Sequence, residues 1–187
     1  MPASNPVIGI CSLGSVPPIF AKIIAGHFTG YLRLKVKTLP PVALTSSAFV
    51  PERHQYDAAS MLNTLENAVP VDCHKLIGVT AADLCIPIFT HVFGEARQNG
   101  RAAVVSIFRM ATMTDGSIPT EAVVYERIAK VALHELGHLF NLIHCDDKHC
   151  LMHFSGNLQE LDQMSLLYCR YCRSFLQNIL SSYRTRS

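Results

Sequence analysis

Three histidines and one glutamate have the residue types and spacing of a catalytic metal site. His134 and His138 lie four residues apart, so on a helix they share one face and two imidazole nitrogens can bind one Zn²⁺. Glu135 is the next residue after His134, where a carboxylate can take a proton from a metal-activated water without binding the metal itself. The pattern predicts metal-assisted hydrolysis with Glu135 as the base.

The third ligand that a catalytic zinc needs is assigned to His144. If the helix continued past His138, His144 would lie about 9 Å further along its axis at 1.5 Å per residue, out of reach. The helix must therefore end and turn back. We place the hinge at Asn141, because the turn needs a left-handed residue and asparagine adopts that conformation second only to glycine. The alternative is a helix that carries its histidines by chance.

A second candidate metal site is formed by two pairs of cysteines. Its members are Cys145, Cys150, Cys169 and Cys172. Such paired spacing is typical of a closed Cys₄ zinc site, which has a structural role because four thiolates leave no open position. Two alternatives stay open: the thiols are reduced and free, or His149 or His153 replaces one cysteine. The remaining cysteines, Cys11, Cys73 and Cys85, lie among apolar neighbours and are interpreted as core residues.

Composition and charge exclude several functional classes. The chain has 187 residues, of which 49% are hydrophobic, and this suits one globular domain. The formal charge of +2 gives no reason to expect binding to nucleic acid or to a membrane surface. No apolar run approaches the roughly 20 residues of a membrane span. A secretory signal needs a basic region before its apolar stretch, and none is present here, so we expect a cytoplasmic protein. We also expect a monomer.

The elements that must position these residues alternate between strands and helices. Apolar or alternating runs predict strands at residues 7–13, 32–39, 76–80 and 102–108. Helical periodicity predicts helices at residues 17–30, 58–69, about 120–141 and 159–183, with residues 38–56 irregular. This order favours an α/β (α+β) sandwich with a partly parallel sheet. We treat residues 1–187 as one domain, with an N-terminal subdomain (1–141) and a C-terminal subdomain (142–187).

The candidate residues together resemble the archaemetzincin family, zinc metallopeptidases of the metzincin clan. The family pattern is a zinc-binding helix, a glycine hinge, a third histidine followed by cysteine, then Cys-x-Met and a distant Cys-x-x-Cys. In this chain the pattern runs from His134 through Asn141 and His144-Cys145 to Cys150-x-Met152 and Cys169-x-x-Cys172. A looser likeness upstream, around Gln55-Tyr56, Phe93-Gly94-Glu95-Ala96 and Ala103-Val104-Val105-Ser106, extends the resemblance over almost the whole chain.

The resemblance implies a twisted mixed sheet, an active-site helix across it and a compact C-terminal subdomain stabilised by zinc. It implies two zinc ions per chain, one catalytic and one structural. Met152 would be the Met-turn residue, an apolar floor beneath the catalytic zinc. The strand at Ala102–Phe108 would be the rim strand, whose free edge pairs with an extended peptide. The chain departs from the pattern at Asn141, which replaces the glycine, and Phe154 stands where some metzincins have a tyrosine that assists at the metal.

These inferences predict a zinc-dependent metallopeptidase that acts on a peptide or protein substrate. The zinc would polarise a water and the scissile carbonyl, while Glu135 takes the water's proton and passes it to the leaving amine. A second hypothesis is a zinc-stabilised peptide-binding module with weak or no catalysis. A third, a nucleic-acid-binding zinc protein, is disfavoured by the charge. Endopeptidase and aminopeptidase activity both stay open, with Glu95 and Asp83 as acidic candidates for binding a substrate amino group.

Overall fold

The computed structural model describes residues 5–113 and 116–185. The strands in this part of the chain are β1 (Val7–Leu13), β2 (Lys35–Thr38), β3 (Phe49–Val50), β4 (Gln55–Asp57), β5 (Lys75–Thr80), β6 (Leu84–Ile86), β7 (Phe89–Val92), β8 (Gly94–Ala96) and β9 (Ala102–Ser106). The helices are α1 (Pro18–Leu32), α2 (Ala58–Ala68), α3 (Glu121–Leu139), α4 (Leu158–Gln163) and α5 (Arg170–Thr185). No helix among the described residues is long and apolar enough to cross a membrane.

The centre of the fold is a five-stranded mixed sheet with the order β2-β1-β5-β9-β8. The first four strands are parallel to one another, and β8 runs antiparallel to β9. Every residue of β5 and β9 is buried, because helices cover both faces of the sheet. Along β9, Ala103 and Val105 pack with α1 and α3, whereas Ala102 and Val104 pack with α2, as the two-residue period of a strand requires. The active-site helix α3 is therefore held on one face of the sheet.

A smaller sheet with the order β3-β4-β6-β7 lies beside the central one. Its last two strands form an antiparallel hairpin. Arg53 fixes this hairpin, since its guanidinium donates to the carbonyl oxygens of Phe89 and Thr90, both at 2.7 Å. Gln55 donates to Thr90 O as well, at 3.0 Å. These bonds hold β7 in place where it contributes to the cleft described below.

The C-terminal part of the chain shares the main hydrophobic core with the sheet. Leu151, Leu161, Leu176 and Leu180 belong to the same buried cluster as residues of β1, α1 and α3. α5 packs through one apolar stripe and leaves its other face in solvent, as expected for a surface helix. The division into subdomains at residue 141 stays a prediction.

Two predictions about the C-terminal part and the rim of the sheet are wrong. The helix expected at residues 159–183 is two helices, α4 and α5, so Cys169 lies just before α5 and Cys172 lies in its first turn. The predicted rim strand at Ala102–Phe108 ends at Ser106 and is hydrogen-bonded on both sides, to β5 and to β8. The edge of the sheet is β8, a three-residue strand that begins with glycine and is too short to show a periodicity in the sequence.

The first helix and the strand after it also differ from prediction. Gly30 does not end α1: it lies on the exposed face of the helix, which tolerates a glycine, and α1 continues to Leu32. The residue that ends it is Arg33, with a left-handed φ of 55°. The strand expected at residues 32–39 therefore shortens to Lys35–Thr38.

Candidate metal centre and active site

The end of α3 forms a tight turn that brings the third histidine back to the first two. Asn141 adopts a φ of 67°, the left-handed conformation that the spacing requires. The N–H of Leu142 donates to Gly137 O (3.0 Å) and the N–H of Asn141 donates to His138 O (2.9 Å). These two bonds are those of a Schellman motif, which satisfies the last carbonyls of a helix. Gln98 supports the turn by donating from Nε2 to Asn141 Oδ1 (3.2 Å) and to Leu142 O (3.0 Å).

Main-chain carbonyls orient the imidazoles of His134 and His138. His134 Nδ1 donates to Leu151 O at 2.8 Å, and His138 Nδ1 donates to Leu142 O at 2.7 Å. A carbonyl oxygen can only accept, so both Nδ1 atoms carry the proton and both Nε2 atoms present a lone pair. The two Nε2 atoms lie 3.0 Å apart. Two lone pairs at this distance repel each other unless a cation lies between them, and two ligands of a tetrahedral zinc are about 3.3 Å apart.

His144 completes the group. Its ring centroid lies 5.2 Å from that of His134 and 4.8 Å from that of His138, and one nitrogen from each ring falls within 4.8 Å of the others. Burial lowers the pKa of His134 to about 3 and also lowers the pKa of His138 and His144. All three rings are therefore neutral near pH 7, the form that binds a metal. His144 is exposed, so the group opens on one side to solvent.

Glu135 lies buried between α3 and the edge strand. Its side chain is 6% exposed. A Cβ built on Gly94 would lie 2.8 Å from Glu135 Cγ and Oε1, so β8 passes directly over the carboxylate and only glycine leaves room for it. Burial, together with the charge of nearby Glu95, raises the pKa of Glu135 well above its usual value. A carboxyl group in such surroundings is suited to accept and return a proton.

Met152 is fully buried beneath the end of α3. A Cβ built on Gly137 would lie 2.5 Å from Met152 Sδ, so the thioether packs directly against the helix backbone at the residue before His138. The main chain of Met152 is also fixed, because its carbonyl oxygen accepts from the N–H of Cys145 at 2.9 Å. This residue thus links the histidine group to the cysteine group.

The four cysteines come together next to the histidine group. Their sulfur atoms all lie within 4.8 Å of one another, and Cys145 Sγ is 3.9 Å from Cys169 Sγ. Two thiolates on one tetrahedral zinc are about 3.8 Å apart, so the Cys145–Cys169 pair already has the spacing of two zinc ligands. The cluster needs neither alternative histidine: His149 is exposed, and His153 Nδ1 bonds to the carbonyl oxygen of Cys145 at 2.8 Å. Cys11, Cys73 and Cys85 are buried core residues, which confirms that prediction.

The histidine group lies in a cleft of about 450 Å³. Two phenylalanines meet across it, with ring centroids 5.6 Å apart: Phe89 from β7 and Phe154 from the segment after Met152. The ring of Phe154 also lies 5.4 Å from that of His144. The cleft therefore pairs apolar walls with a metal-binding group and a buried carboxylate, which can together activate water beside an apolar side chain.

Comparison with known proteins decides the family. The sequence model of Peptidase family M54 matches residues 29–178. The chain belongs to peptidase family M54. The chain is similar to the archaemetzincin of Methanopyrus kandleri, with 39% identity over 155 residues, 82% of this chain and 84% of that protein. The archaemetzincin of Haloquadratum walsbyi is 31% identical over 173 residues, 91% of this chain and 99% of that protein.

Crystal structures of archaemetzincins share the fold. That of the Methanopyrus kandleri protein has a TM-score of 0.84 at 34% identity and covers 95% of this chain and 96% of its own. That of the Archaeoglobus fulgidus protein, complexed with malonate, has a TM-score of 0.78 at 30% identity, with 90% and 99% coverage. The resemblance to archaemetzincins and the mixed α/β fold are thus confirmed. This member of the family is a zinc metallopeptidase, a hydrolase.

The structure of this chain separates the two acidic residues that were candidates for binding a substrate amino group. Asp83 does not line the cleft: its carboxylate accepts two bonds from Arg109, both at 2.7 Å, and one from Gln55 at 2.8 Å. Glu95 does line the cleft. Sequence reasoning missed the two glycines, Gly94 and Gly137. The sequence did offer a signal for both. Gly137 lies within a helix and Gly94 begins a strand, and a glycine weakens such an element, so its presence indicates a close contact that a larger residue would block.

Proposed function

We propose that this M54 peptidase hydrolyses peptide bonds at the His134, His138 and His144 group, with Glu135 as the catalytic base. The observation that carries the proposal is the pair of Nε2 lone pairs 3.0 Å apart beside a buried carboxylate. When bound at this group, Zn²⁺ supplies Lewis acidity, which acidifies water and polarises a carbonyl. We propose a second, structural zinc at Cys145, Cys150, Cys169 and Cys172, which supports the segment that carries His144 and Met152.

Glu135 is proposed to move one proton twice. Its carboxylate takes a proton from the attacking water as the oxygen–carbon bond forms, and it then gives that proton to the nitrogen as the carbon–nitrogen bond breaks. Gly94 supports this role, because the backbone of β8 packs on the carboxylate and excludes bulk water from one side. Met152 packs against the backbone of α3 at Gly137, which fixes the position of the helix relative to the turn, and we propose that its side chain forms the apolar floor of the site.

The substrate is proposed to bind as an extended strand along β8. The outer edge of β8 has no neighbouring strand among the described residues, and β8 lines the cleft. Backbone groups at a free edge can pair with a peptide, which places its scissile bond in register with a fixed catalytic group. This assignment replaces β9, whose two edges are both paired.

The test compares the parent enzyme with Glu135→Gln, a substitution of nearly equal volume. Both are given a peptide library that contains free and acetylated N-termini, and zinc is measured on the same samples. We expect both proteins to hold the same amount of zinc, and the variant to lose at least about a hundredfold in kcat/KM. Equal cleavage by the two proteins refutes the role of Glu135. Cleavage of acetylated peptides identifies an endopeptidase, whereas cleavage confined to free N-termini identifies an aminopeptidase.

The binding-module hypothesis would be favoured if Asn141, in place of the family's glycine, displaced His144 from the other two histidines. Among the described residues, the turn through Asn141 keeps His144 beside them, which supports the enzyme. Cytoplasmic location and a monomeric state stay predictions.

A further inference from the structure

A second pocket lies between the end of α1 and the exposed side of α5. Its volume is about 680 Å³, and it shares no lining residue with the cleft. The side chains that matter here are Tyr31, Arg33, Tyr168, Arg173, Gln177 and Ser181. The α5 residues are spaced so that they occupy one face of the helix. The pocket is thus a groove with aromatic and polar walls.

Two guanidinium groups without a carboxylate partner among the described residues line this groove. Neither Arg33 nor Arg173 forms an ion pair with any residue in the described ranges 5–113 and 116–185. The sequences of α1 and α5 contain no Asp or Glu, although the chain has 14 acidic residues in all. No carboxylate of α1 or α5 therefore pairs with these guanidinium groups, which leaves them available to an anionic ligand.

The end of α1 fixes where Arg33 lies. Arg33 ends α1 with a φ of 55°. This left-handed position favours glycine, and a residue with a Cβ is strained there. The left-handed residue closes the end of the helix, because the N–H of Arg33 donates to Thr29 O and the N–H of Leu34 donates to Phe28 O, both at 3.1 Å. This helix end places the Arg33 side chain at the groove.

The remaining lining residues complement an oxyanion and an organic body. Gln177 is exposed, and its side-chain amide can donate hydrogen bonds, whereas the Ser181 hydroxyl donates to Gln177 O at 2.8 Å. Tyr31 and Tyr168 stack with ring centroids 5.9 Å apart and an interplanar angle of 16°. We propose that this groove binds a small ligand that carries a phosphate or carboxylate group, held between Arg33 and Arg173. Arginine suits this task, because its planar fork can bind two oxygens of one oxyanion.

The groove is connected to the catalytic helix through Tyr168. The N–H of Tyr168 donates to the hydroxyl of Tyr31 (3.2 Å), and the hydroxyl of Tyr168 donates to the carbonyl oxygen of Leu133 (2.7 Å), the residue before His134. A ligand that contacts Tyr31 therefore stabilises the hydrogen bonds that connect Tyr31 through Tyr168 to α3. Binding to the folded state alone raises the unfolding temperature, which gives a second readout of occupancy.

The experiment measures binding of inorganic phosphate, citrate and a nucleoside monophosphate by calorimetry and by thermal unfolding, in low-salt chloride buffer. Arg33→Gly and Arg173→Gln are compared with Arg170→Gln, which makes the same charge change on the same helix outside the groove. We expect each groove variant to weaken binding about tenfold or more and Arg170→Gln to change it less than about twofold. Arg33→Gly also relieves the left-handed strain, so its loss of binding cannot be attributed to unfolding.

The comparison of ligands identifies the source of the anion. Tighter binding of the nucleoside monophosphate than of inorganic phosphate assigns part of the affinity to the organic body, and tighter binding of citrate assigns the site to carboxylates. Unchanged zinc content in Arg173→Gln shows that the neighbouring Cys172 is undisturbed. The proposal is overturned if no probe binds saturably below a concentration on the order of 10 mM, or if Arg170→Gln weakens binding as much as the groove variants.

Discussion

Gly94→Ala tests whether the position of Glu135 depends on the backbone of β8. The added Cβ would lie 2.8 Å from Glu135 Cγ and Oε1 and 2.9 Å from Val131 Cγ1, against 3.4 Å for an ordinary contact. Glu135 or β8 must therefore move by about 0.6 Å. A displacement on the order of 1 Å at a catalytic group costs up to about a hundredfold in rate, so we expect kcat/KM to fall about ten- to a hundredfold. Overpacking should also destabilise the fold by about 1–3 kcal/mol.

The assay for this variant is steady-state hydrolysis of a peptide substrate, with zinc content and denaturant unfolding measured in parallel. Gly26→Ala is the matched control, since nothing lies within 4 Å of a Cβ at that helix position. The control should keep full activity and gain about 0.5–1 kcal/mol of stability. A Gly94→Ala enzyme with unchanged kcat/KM would refute the reasoning. An equal activity loss in Gly94→Ala whether or not Glu135 is replaced by Gln would show that the effect does not pass through the carboxylate.

Three further predictions concern the turn, the cysteine cluster and pH. Asn141→Gly should keep activity and change stability by less than about 1 kcal/mol, because relief of the left-handed strain offsets the lost hydrogen bond from Gln98. Asn141→Ala should instead destabilise the fold by about 1 kcal/mol, and the midpoints of denaturant unfolding distinguish the two variants. Cys169→Ser should lower the zinc content by one ion per chain, and the core variant Cys85→Ser should leave it unchanged, as metal analysis of dialysed protein would show. In the metal-free protein, burial lowers the pKa of His134 to about 3, so below pH 6.5 the unfolded chain binds a proton that the folded chain does not. The free energy of unfolding should therefore be greatest above pH 6.5 and fall as the pH drops towards 3, by up to about 1.4 kcal/mol per pH unit. A free energy of unfolding that does not change with pH in this range would contradict the prediction.

The grouping of the three histidines could be predicted from the sequence because its geometry is local. Residues four apart on a helix, or a hinge residue three positions later, have relative positions fixed by helix geometry and one backbone turn. The fold class was predictable for a similar reason, since buried strands such as Lys75–Thr80 are marked by continuous apolar runs. The resemblance to a known family added the pairing of Met152 with the zinc-binding helix.

Other features could not be predicted because they depend on distant segments. Gly94 meets Glu135, and Gly137 meets Met152, only after the sheet and helix have packed. The break between α4 and α5 interrupts apolar residues whose spacing continues a helix, and it is imposed by tertiary bonds such as Leu151 N–H to Leu167 O at 3.1 Å. The rim strand was assigned to β9 because its apolar run is strong, although sheet order, not hydrophobicity, decides which strand lies at an edge.

The carbonyl oxygens of Leu142 and Leu151 have a consequence for how the site tolerates mutation. Each holds the Nδ1 of one metal-binding histidine, at 2.7 Å and 2.8 Å respectively. A carbonyl oxygen is present whatever the side chain, so substitutions at these two positions change the packing of the core but remove no hydrogen-bonding group from the imidazoles. A carboxylate in the same role could be lost in a single mutation. The orientation of the two imidazoles is therefore robust to sequence drift at positions 142 and 151, and relatives can vary there without losing the site.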